Sequence, residues 1–234
     1  MTLTSTIWRT THATFDMPTP GKIRTVLFDL DGTLIDTAPD MANALNLLLA
    51  EEGKQSLPYA NIRPVVSNGS EALVKLGFGE SPPELDRLKQ RYLDIYQAHL
   101  CVDSKLFDGM AELLRHIEQH NMNWGVVTNK PGWLTEPLMQ QMGLAHRAAT
   151  IVSGDTTLNR KPHPEPMFHA CVRAGSEPAQ CIYIGDAQRD IEAGNNAGMQ
   201  TVVAMYGYIC KQDDISKWNA TYHISRPDEI LALL

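Results

Sequence analysis

The sequence IRTVLFDLDGT, residues 23–33, joins an apolar run directly to an acidic loop that contains glycine. The run from Ile23 to Asp29 is rich in β-branched and aromatic residues and shows no 3.6-residue stripe, so it predicts a buried strand rather than a helix. Asp29 then lies at the carboxyl end of the strand, and Asp31 follows in the loop. In open α/β sheets, ligands bind beyond the carboxyl ends of the strands. This stretch therefore predicts an α/β fold with a polar site at the end of its first strand.

Three later segments place polar groups in the same way. WGVVTNK (residues 124–130) carries Thr128 and Asn129 after its apolar run, RKPHPEP (residues 160–166) carries Lys161, and CIYIGDAQRD (residues 181–190) carries Asp186 and Asp190. Each signal is weak alone, because an isolated pair of aspartates is commonly a solvated turn and a single lysine usually faces water. Their order and their shared placement after apolar runs predict one common site.

The rest of the chain divides into a helical block and an alternating block. Pro39 opens a helix that is closed by Gly53, Ser70 caps a second, and Ser81 with Pro82 starts a third. Beyond Asp108, which we expect to cap a helix, helices and strands alternate. We predict an α/β fold with a doubly wound parallel sheet and an inserted all-helical cap. The expected divisions are an N-terminal extension at 1–22, a catalytic core at 23–36 and 107–234, and the cap at 37–106.

Composition excludes several classes of function. The formal net charge is −7 at pH 7 and the basic residues form no dense run, which argues against a nucleic-acid partner. No apolar run is long enough to span a bilayer, and residues 1–22 lack the features of a secretion signal. The four cysteines show no paired CxxC spacing. We expect a cytoplasmic monomer or homodimer that acts on a small molecule, without a membrane partner.

Asp29 and Asp31 have the spacing that a nucleophile and a separate acid/base group require. With an ordinary pKa of about 3.9, Asp29 would be ionised at neutral pH and able to attack phosphorus. Two like charges at about 4 Å repel by roughly 4 kcal/mol at an effective dielectric constant of about 20, so the site needs positive charge. Lys161 and a metal ion are expected to supply it. Oxygen ligands from Asp29 and Asp186, joined by a backbone carbonyl of the loop at Asp31, suit Mg²⁺.

FDLDGT, VVTNK, RKP and YIGDAQRD resemble the four motifs of the haloacid dehalogenase-like hydrolases. The resemblance implies a phosphomonoester hydrolase that forms an aspartyl-phosphate intermediate and uses Mg²⁺. It also implies a role for each motif residue: Asp29 as nucleophile, Asp31 as acid/base, Thr128, Asn129 and Lys161 as phosphate-binding groups, Asp29, Asp31 and Asp186 as metal ligands, and Asp190 as support for the metal's waters or for Lys161.

The helical insertion resembles the cap of the phosphoglycolate phosphatase group within this family. SKLFDGMAELL, EPLMQQMGL and YGYI look closer to the N-acetylmuramic acid 6-phosphate phosphatases of peptidoglycan recycling. This resemblance favours the amino-sugar phosphate as substrate, with 2-phosphoglycolate as the alternative. In the loop IRPVVSNGS the candidates for substrate contacts are Arg63, Ser67, Asn68 and Ser70; a capped turn before a helix explains them equally well.

Rival functions of the same family remain open at this point. A dehalogenase would also use an aspartate nucleophile but has no use for Asp31 or for a metal. A phosphonate hydrolase would need a cap lysine that forms an imine, and neither Lys54 nor Lys75 has a distinctive setting. A mutase would need a phosphorylated intermediate that resists water. An inactive relative would be expected to lack Asp29 or Asp31, and both are present.

Overall fold

A computed structural model of the chain describes residues 22–210 and 212–234. Its main feature is a six-stranded, wholly parallel sheet with the order β5–β4–β1–β6–β7–β8. A separate two-stranded antiparallel ribbon pairs β2 with β3. The strands are Thr25–Phe28 (β1), Ile35–Asp36 (β2), Lys105–Leu106 (β3), Asn123–Val127 (β4), Thr150–Val152 (β5), Cys181–Gly185 (β6), Gln200–Ala204 (β7) and Tyr222–Ile224 (β8).

The strand order reverses at β1, which has β4 on one side and β6 on the other. The chain therefore builds outward in one direction and then returns to build in the other, which confirms the predicted doubly wound parallel sheet. The residues that follow β1, β4 and β6 meet at the same edge of the sheet. This edge is where the predicted site residues lie.

Helices cover the sheet because its central strand is apolar on both faces. In β1, Val26 and Phe28 belong to one large core cluster, whereas Leu27 belongs to a second cluster with Val127 and Tyr183. This division follows from the two-residue period of a strand. The helices are Ala38–Glu51 (α1), Tyr59–Ile62 (α2), Gly69–Phe78 (α3), Leu85–Ala98 (α4), Met110–Gln119 (α5), Gly132–Gln141 (α6), Glu165–Ala174 (α7) and Gln188–Asn196 (α8).

Helices α1–α4 occupy the chain between β2 and β3, together with a 3₁₀ segment at Arg63–Asn68. Because β2 pairs with β3, the chain leaves the core and returns to it at adjacent points. Leu45 and Leu48 on α1 and Tyr92 on α4 are fully buried in the larger core cluster. The insertion is thus packed around its own apolar interior as well as against the core.

Several sequence expectations differ from the structure. Asp108 does not cap α5; Gly109 does, with φ of 88°, a value that favours glycine. Asn68, not Ser70, occupies the N-cap of α3, and α4 begins at Leu85 rather than at Ser81. The predicted extension at 1–22 lies outside the described residues except for Lys22. Within 22–210 and 212–234, no helix has the length and apolarity needed to cross a bilayer.

Candidate active site

Asp29 lies directly beyond β1, where its backbone N–H still donates to the Ile184 carbonyl at 2.8 Å. Its side chain is buried, and its Oδ1 atom accepts hydrogen bonds from the Leu30 backbone at 2.7 Å and from the Lys161 ammonium at 2.8 Å. Among the described residues, none donates a hydrogen bond to the second carboxylate oxygen, Oδ2. The carboxylate is therefore held in place through Oδ1, while Oδ2 has no hydrogen-bond donor among the described residues and can react with or bind a ligand.

The ammonium group of Lys161 is enclosed by protein oxygens. Besides Asp29 it contacts Asp190 Oδ1 at 2.7 Å, the Val127 carbonyl at 2.8 Å and the Tyr183 hydroxyl at 2.8 Å. Its side chain is 1% exposed. Lys161 thus pairs with two buried carboxylates, of which its single charge can offset only one, and any contact with a bound phosphate has to form alongside these interactions.

Three carboxylates beside Lys161 can share a metal ion. Asp29, Asp186 and Asp190 each offer an oxygen within 4.8 Å of the others. Asp186 Oδ2 accepts hydrogen bonds from the Tyr208 backbone and the Ser67 hydroxyl, both at 2.8 Å, whereas its buried Oδ1 has no partner. An unpaired buried oxygen in an all-oxygen cluster fits Mg²⁺, which prefers oxygen ligands. The Asp31 carboxylate is not part of this cluster.

Burial, with the neighbouring carboxylates, raises the pKa values of Asp29 and Asp186. Burial raises the pKa of Asp29 to about 6, with Asp190 adding to the increase and Lys161 opposing it. Burial likewise raises the pKa of Asp186 to about 7, and the charges of Asp29 and Asp190 raise it further. Beyond burial, part of each pKa shift comes from the neighbouring carboxylates, of which there are three beside the single charge of Lys161. A bound cation would supply the missing positive charge.

Gly32 permits the tight approach of the acidic loop to Asp186. Its φ is +85°, and a Cβ atom at this position would lie 2.2 Å from Asp186 Oδ2. A side chain here would therefore be both strained and in steric conflict with Asp186. The DLDGT sequence thus has glycine where the loop meets the proposed metal ligand.

Asp31 has partners of a different kind. Its Oδ1 accepts hydrogen bonds from the Thr37 hydroxyl at 2.6 Å and from the Lys130 ammonium at 3.0 Å. Lys130 also donates to the hydroxyl of Tyr96, on α4, at 3.0 Å and lies over its ring. This chain of contacts connects Asp31 to the helical insertion.

Thr128 and Asn129 follow β4 at the same edge of the sheet. The Thr128 hydroxyl accepts a hydrogen bond from the Lys130 backbone at 3.1 Å. The Asn129 amide donates to the Lys161 carbonyl at 2.9 Å, and its buried Oδ1 has no partner. Both residues line the cavity that also contains Asp29.

A cavity of about 810 Å³ lies between the sheet edge and the insertion. Its size is within the range of about 300–1,000 Å³ that is typical of small-molecule sites. The core contributes polar groups to its wall, and the insertion contributes a mixed surface. Principal lining residues are Asp29, Asp31, Thr128, Asn129, Lys130 and Arg189 from the core, and Ser67, Asn68, Ser70, Lys75, Lys89 and Tyr92 from the insertion.

The four candidate cap residues occupy different positions. Ser67, Asn68 and Ser70 line the cavity, although the Ser67 hydroxyl is already bonded to Asp186. Arg63 is not among the lining residues. It donates to the carbonyls of Tyr206 and Gly207, both at 3.0 Å, and stacks over Tyr208. Arg63 thus holds the insertion against the core instead of facing a ligand.

Two residues of the site, Lys130 and Arg189, were not predicted from the sequence. Lys130 follows Thr128 and Asn129 directly in the TNK segment, so proximity to a strand end was the available signal. Arg189, in the GDAQRD segment, is largely buried beside the acidic cluster, where it donates to the Ser67 carbonyl. No sequence pattern identifies the distant partner in either contact.

Comparison with known proteins agrees with this geometry. The sequence model of the haloacid dehalogenase-like hydrolase family matches residues 26–204. Two proteins named N-acetylmuramic acid 6-phosphate phosphatase, from Pseudomonas putida and Pseudomonas aeruginosa, are 44% and 42% identical over 211 and 215 residues. These alignments cover 89% and 91% of this chain and 95% of each relative. A phosphoglycolate phosphatase from Xanthomonas campestris is 41% identical over 208 residues, covering 88% of this chain and 94% of the relative.

A solved structure gives the same result. The crystal structure of a predicted phosphoglycolate phosphatase from Haemophilus somnus has a TM-score of 0.80 and 26% sequence identity, covering 93% of this chain and 99% of its own. The family match includes β1 except its first residue, β2 through β7 and every predicted motif residue. This chain belongs to the haloacid dehalogenase-like hydrolases.

Proposed function

We propose that this protein is a Mg²⁺-dependent phosphomonoesterase that acts through an aspartyl-phosphate intermediate. The observation that carries the proposal is the cluster of Asp29, Asp186 and Asp190, in which Lys161 pairs with Asp29 and Asp190. Asp29 connects this cluster to the cavity, which it lines together with Asp31. A phosphate ester needs both a nucleophile and local positive charge, because it is itself an anion. This site combines the two.

In the first half-reaction, Asp29 attacks phosphorus, and the bond between phosphorus and the ester oxygen breaks. Asp31 delivers its proton to the departing alkoxide, which leaves as an alcohol. The Thr128 hydroxyl and the remaining amide N–H of Asn129 would donate hydrogen bonds to the phosphoryl oxygens. Asp29 is then an acyl phosphate, and Asp31 is ionised.

In the second half-reaction, Asp31 takes a proton from water as the water oxygen attacks phosphorus. The bond between phosphorus and the Asp29 oxygen breaks, which releases inorganic phosphate and restores both aspartates. Asp29, Asp186 and the carbonyl of Asp31 would hold Mg²⁺, and Asp190 would support its waters or Lys161. When bound, the ion offsets the negative charge of the phosphoryl group.

We infer that the substrate is N-acetylmuramic acid 6-phosphate, in the recycling of peptidoglycan in the cytoplasm. Two relatives above 40% identity carry that name, and they align over most of this chain. A cavity of about 810 Å³ has room for a substituted sugar. The alternative, 2-phosphoglycolate, is supported by the name of a relative that is 41% identical.

The nucleophile is tested with Asp29→Asn. We expect turnover to fall by about three orders of magnitude or more, because the neutral amide cannot attack phosphorus. Circular dichroism should show an unchanged fold. Activity within about tenfold of the wild type would refute the role of Asp29, and undiminished activity without Mg²⁺ would instead favour a dehalogenase-like reaction.

The substrate is tested by comparing kcat/KM for N-acetylmuramic acid 6-phosphate and for 2-phosphoglycolate. We expect a preference of about a hundredfold for the sugar phosphate. The reverse preference would identify a phosphoglycolate phosphatase and leave the phosphomonoesterase mechanism intact.

A further inference from the structure

Two lysines of the insertion line the cavity away from the acidic cluster. Lys75 lies on α3 and Lys89 lies on α4, and one carboxylate, Glu71, contacts both ammonium groups, at 2.8 and 3.1 Å. Their side chains are 32% and 29% exposed. The proposed hydrolysis of the phosphate ester uses none of these three residues.

The position of Lys89 along α4 indicates how far this lysine lies from the catalytic end of the cavity. Tyr96 marks the catalytic end, because its hydroxyl contacts Lys130, which contacts Asp31. Lys89 lies two helical turns earlier on the same face, and Tyr92 and Leu93 line the cavity between them. At 1.5 Å per residue, the two backbone positions are about 10 Å apart. The lysines therefore lie well away from the reacting phosphate.

The three residues together carry one net positive charge. Each ammonium has three N–H donors, of which Glu71 accepts one. In the described part of the chain neither lysine forms a second salt bridge, although the charge of Glu80 acts on Lys75 from a longer distance. Glu71 holds the two ammonium groups on a single carboxylate and so keeps them close to each other. Such a pair is suited to bind a second carboxylate through charge-assisted hydrogen bonds.

We propose that Lys75 and Lys89 form a subsite for a carboxylate that the substrate carries at the end opposite its phosphate. The inference rests on the proposed function and identifies the substrate class as a sugar phosphate that is also a carboxylic acid. The cavity also has an apolar part of its wall, formed by Met41, Tyr92 and Leu93. This surface suits a sugar ring whose phosphate and carboxylate bind at the two ends.

The separation of the two sites discriminates between the candidate substrates. The carboxyl carbon of 2-phosphoglycolate lies within about 3 Å of the ester oxygen, too close to reach the lysines from the phosphate site. In N-acetylmuramic acid 6-phosphate, about seven bonds separate the ester oxygen from the carboxyl carbon and span roughly 8 Å when extended. Only the sugar acid is long enough to occupy both sites.

The test compares N-acetylmuramic acid 6-phosphate with N-acetylglucosamine 6-phosphate, which has the same primary ester at C6 and the same acetamido group but lacks the lactyl ether that carries the carboxylate. For the double variant K75M/K89M, we expect kcat/KM on the muramic acid ester to fall by about tenfold or more, since charge-assisted hydrogen bonds are lost. Hydrolysis of the glucosamine ester should change by less than about twofold.

Arg91→Met is the matched control, because Arg91 is a cation on the same helix that pairs with Glu51 and does not line the cavity. It should leave both activities unchanged. If the wild type prefers the muramic acid ester and K75M/K89M keeps that preference, the subsite is refuted while the proposed function stands. If the wild type hydrolyses both sugar phosphates equally, the proposed substrate is wrong and the subsite is refuted with it.

Discussion

Asp29 and Asp31 are separated by one residue yet have separate environments. Asp29 is held by Lys161 within a buried acidic cluster, whereas Asp31 is held by Thr37 and Lys130 at the side facing the insertion. Burial raises the pKa of Asp29 to about 6 in the metal-free protein. Two carboxylates with different partners can take different roles in one reaction.

Lys130 and Tyr96 are predicted to position Asp31 for proton transfer. We expect Tyr96→Phe to lower kcat on sugar phosphates by about tenfold and Lys130→Met by about a hundredfold, because Asp31 loses its fixed orientation. The losses should be smaller on p-nitrophenyl phosphate, whose leaving group needs little protonation.

Tyr92→Phe provides the control for this pair. Tyr92 stacks beside Tyr96, but its hydroxyl donates to the Met41 carbonyl instead of contacting Lys130. This variant should retain activity on both substrates. Equal losses on sugar phosphates and on p-nitrophenyl phosphate in Tyr96→Phe would contradict a role in proton transfer.

The raised pKa values predict a pH-dependent response to Mg²⁺. Burial raises the pKa of Asp186 to about 7, above its value in the unfolded chain, so this group favours the metal-free fold below about pH 4 and ceases to do so as the pH rises through about 7. Mg²⁺ binds the ionised carboxylate. The increase in Tm on adding Mg²⁺ should therefore be small at pH 5 and several degrees larger at pH 8.

Differential scanning calorimetry with and without Mg²⁺ measures this response. In Asp186→Asn the increase in Tm at pH 8 should be largely lost, because a neutral amide replaces the charged ligand. An increase of the same size at pH 5 and pH 8 in the wild type would show that the buried carboxylates do not control binding.

The strand-end residues were predictable because their position follows from local sequence. Asp29, Thr128 and Asp186 each come directly after an apolar run, and parallel strands bring such ends to one edge. The partners of Arg63 and Lys130 were not predictable, since those contacts join residues far apart in the chain. Whether a loop arginine faces a ligand or a backbone carbonyl depends on packing between elements, which one sequence does not encode locally.

The long, buried strands could be predicted from the sequence, whereas the short strands β2, β3 and β8 could not. The strands β1, β4 and β6 are fully or mostly buried and apolar, so their own sequences were sufficient to predict them as strands. The strand β8 has three residues, of which Tyr222 and His223 are exposed, and no periodic pattern marks it. The ribbon of β2 and β3 has two residues a strand and depends on contact between distant segments.

A residue in the first turn of α1, Asp40, is predicted to hold residues 102–104 in place, where the chain passes from the insertion back to β3. Buried Asp40 accepts hydrogen bonds from the backbone N–H groups of Val102, Asp103 and Ser104 at 3.1, 2.8 and 3.0 Å. Asp40→Ala leaves these donors without their partner, and we expect a loss of about 3 kcal/mol in the free energy of unfolding.

Hydrogen exchange at residues 102–104, together with urea unfolding, measures the effect of Asp40→Ala. Exchange should accelerate at these three amides before it does so in the central sheet. Asp94→Ala is the control, since Asp94 on α4 accepts only an exposed hydrogen bond from Gln90. Unchanged exchange at 102–104 in Asp40→Ala would contradict the role of Asp40.

At the scale of the whole molecule, the insertion is attached to the core around the acidic cluster. Arg63 binds the carbonyls after β7, Ser67 binds Asp186, and Arg189 binds the Ser67 carbonyl. These contacts hold the insertion against the core beside the cluster, in a position from which it could close over a bound substrate. A closed cavity excludes bulk water before phosphoryl transfer.

Arg63→Met is predicted to loosen this closure. The variant loses two hydrogen bonds and the stacking on Tyr208, so we expect KM for sugar phosphates to rise about fivefold with a smaller change in kcat. Arg87→Met is the control, because Arg87 pairs only within the insertion, with Glu52 and Glu84. An unchanged KM in Arg63→Met would show that these contacts do not contribute to closure.

The pairing of β2 with β3 places the two ends of the insertion side by side. Joining neighbouring ends costs little chain entropy, and that cost grows slowly with the length of the inserted segment. Evolution can therefore enlarge, shorten or exchange this module without disturbing the sheet that carries the nucleophile. Selectivity and chemistry are encoded in separable parts of one gene product, which makes grafting a foreign module at this ribbon a direct route to new substrates.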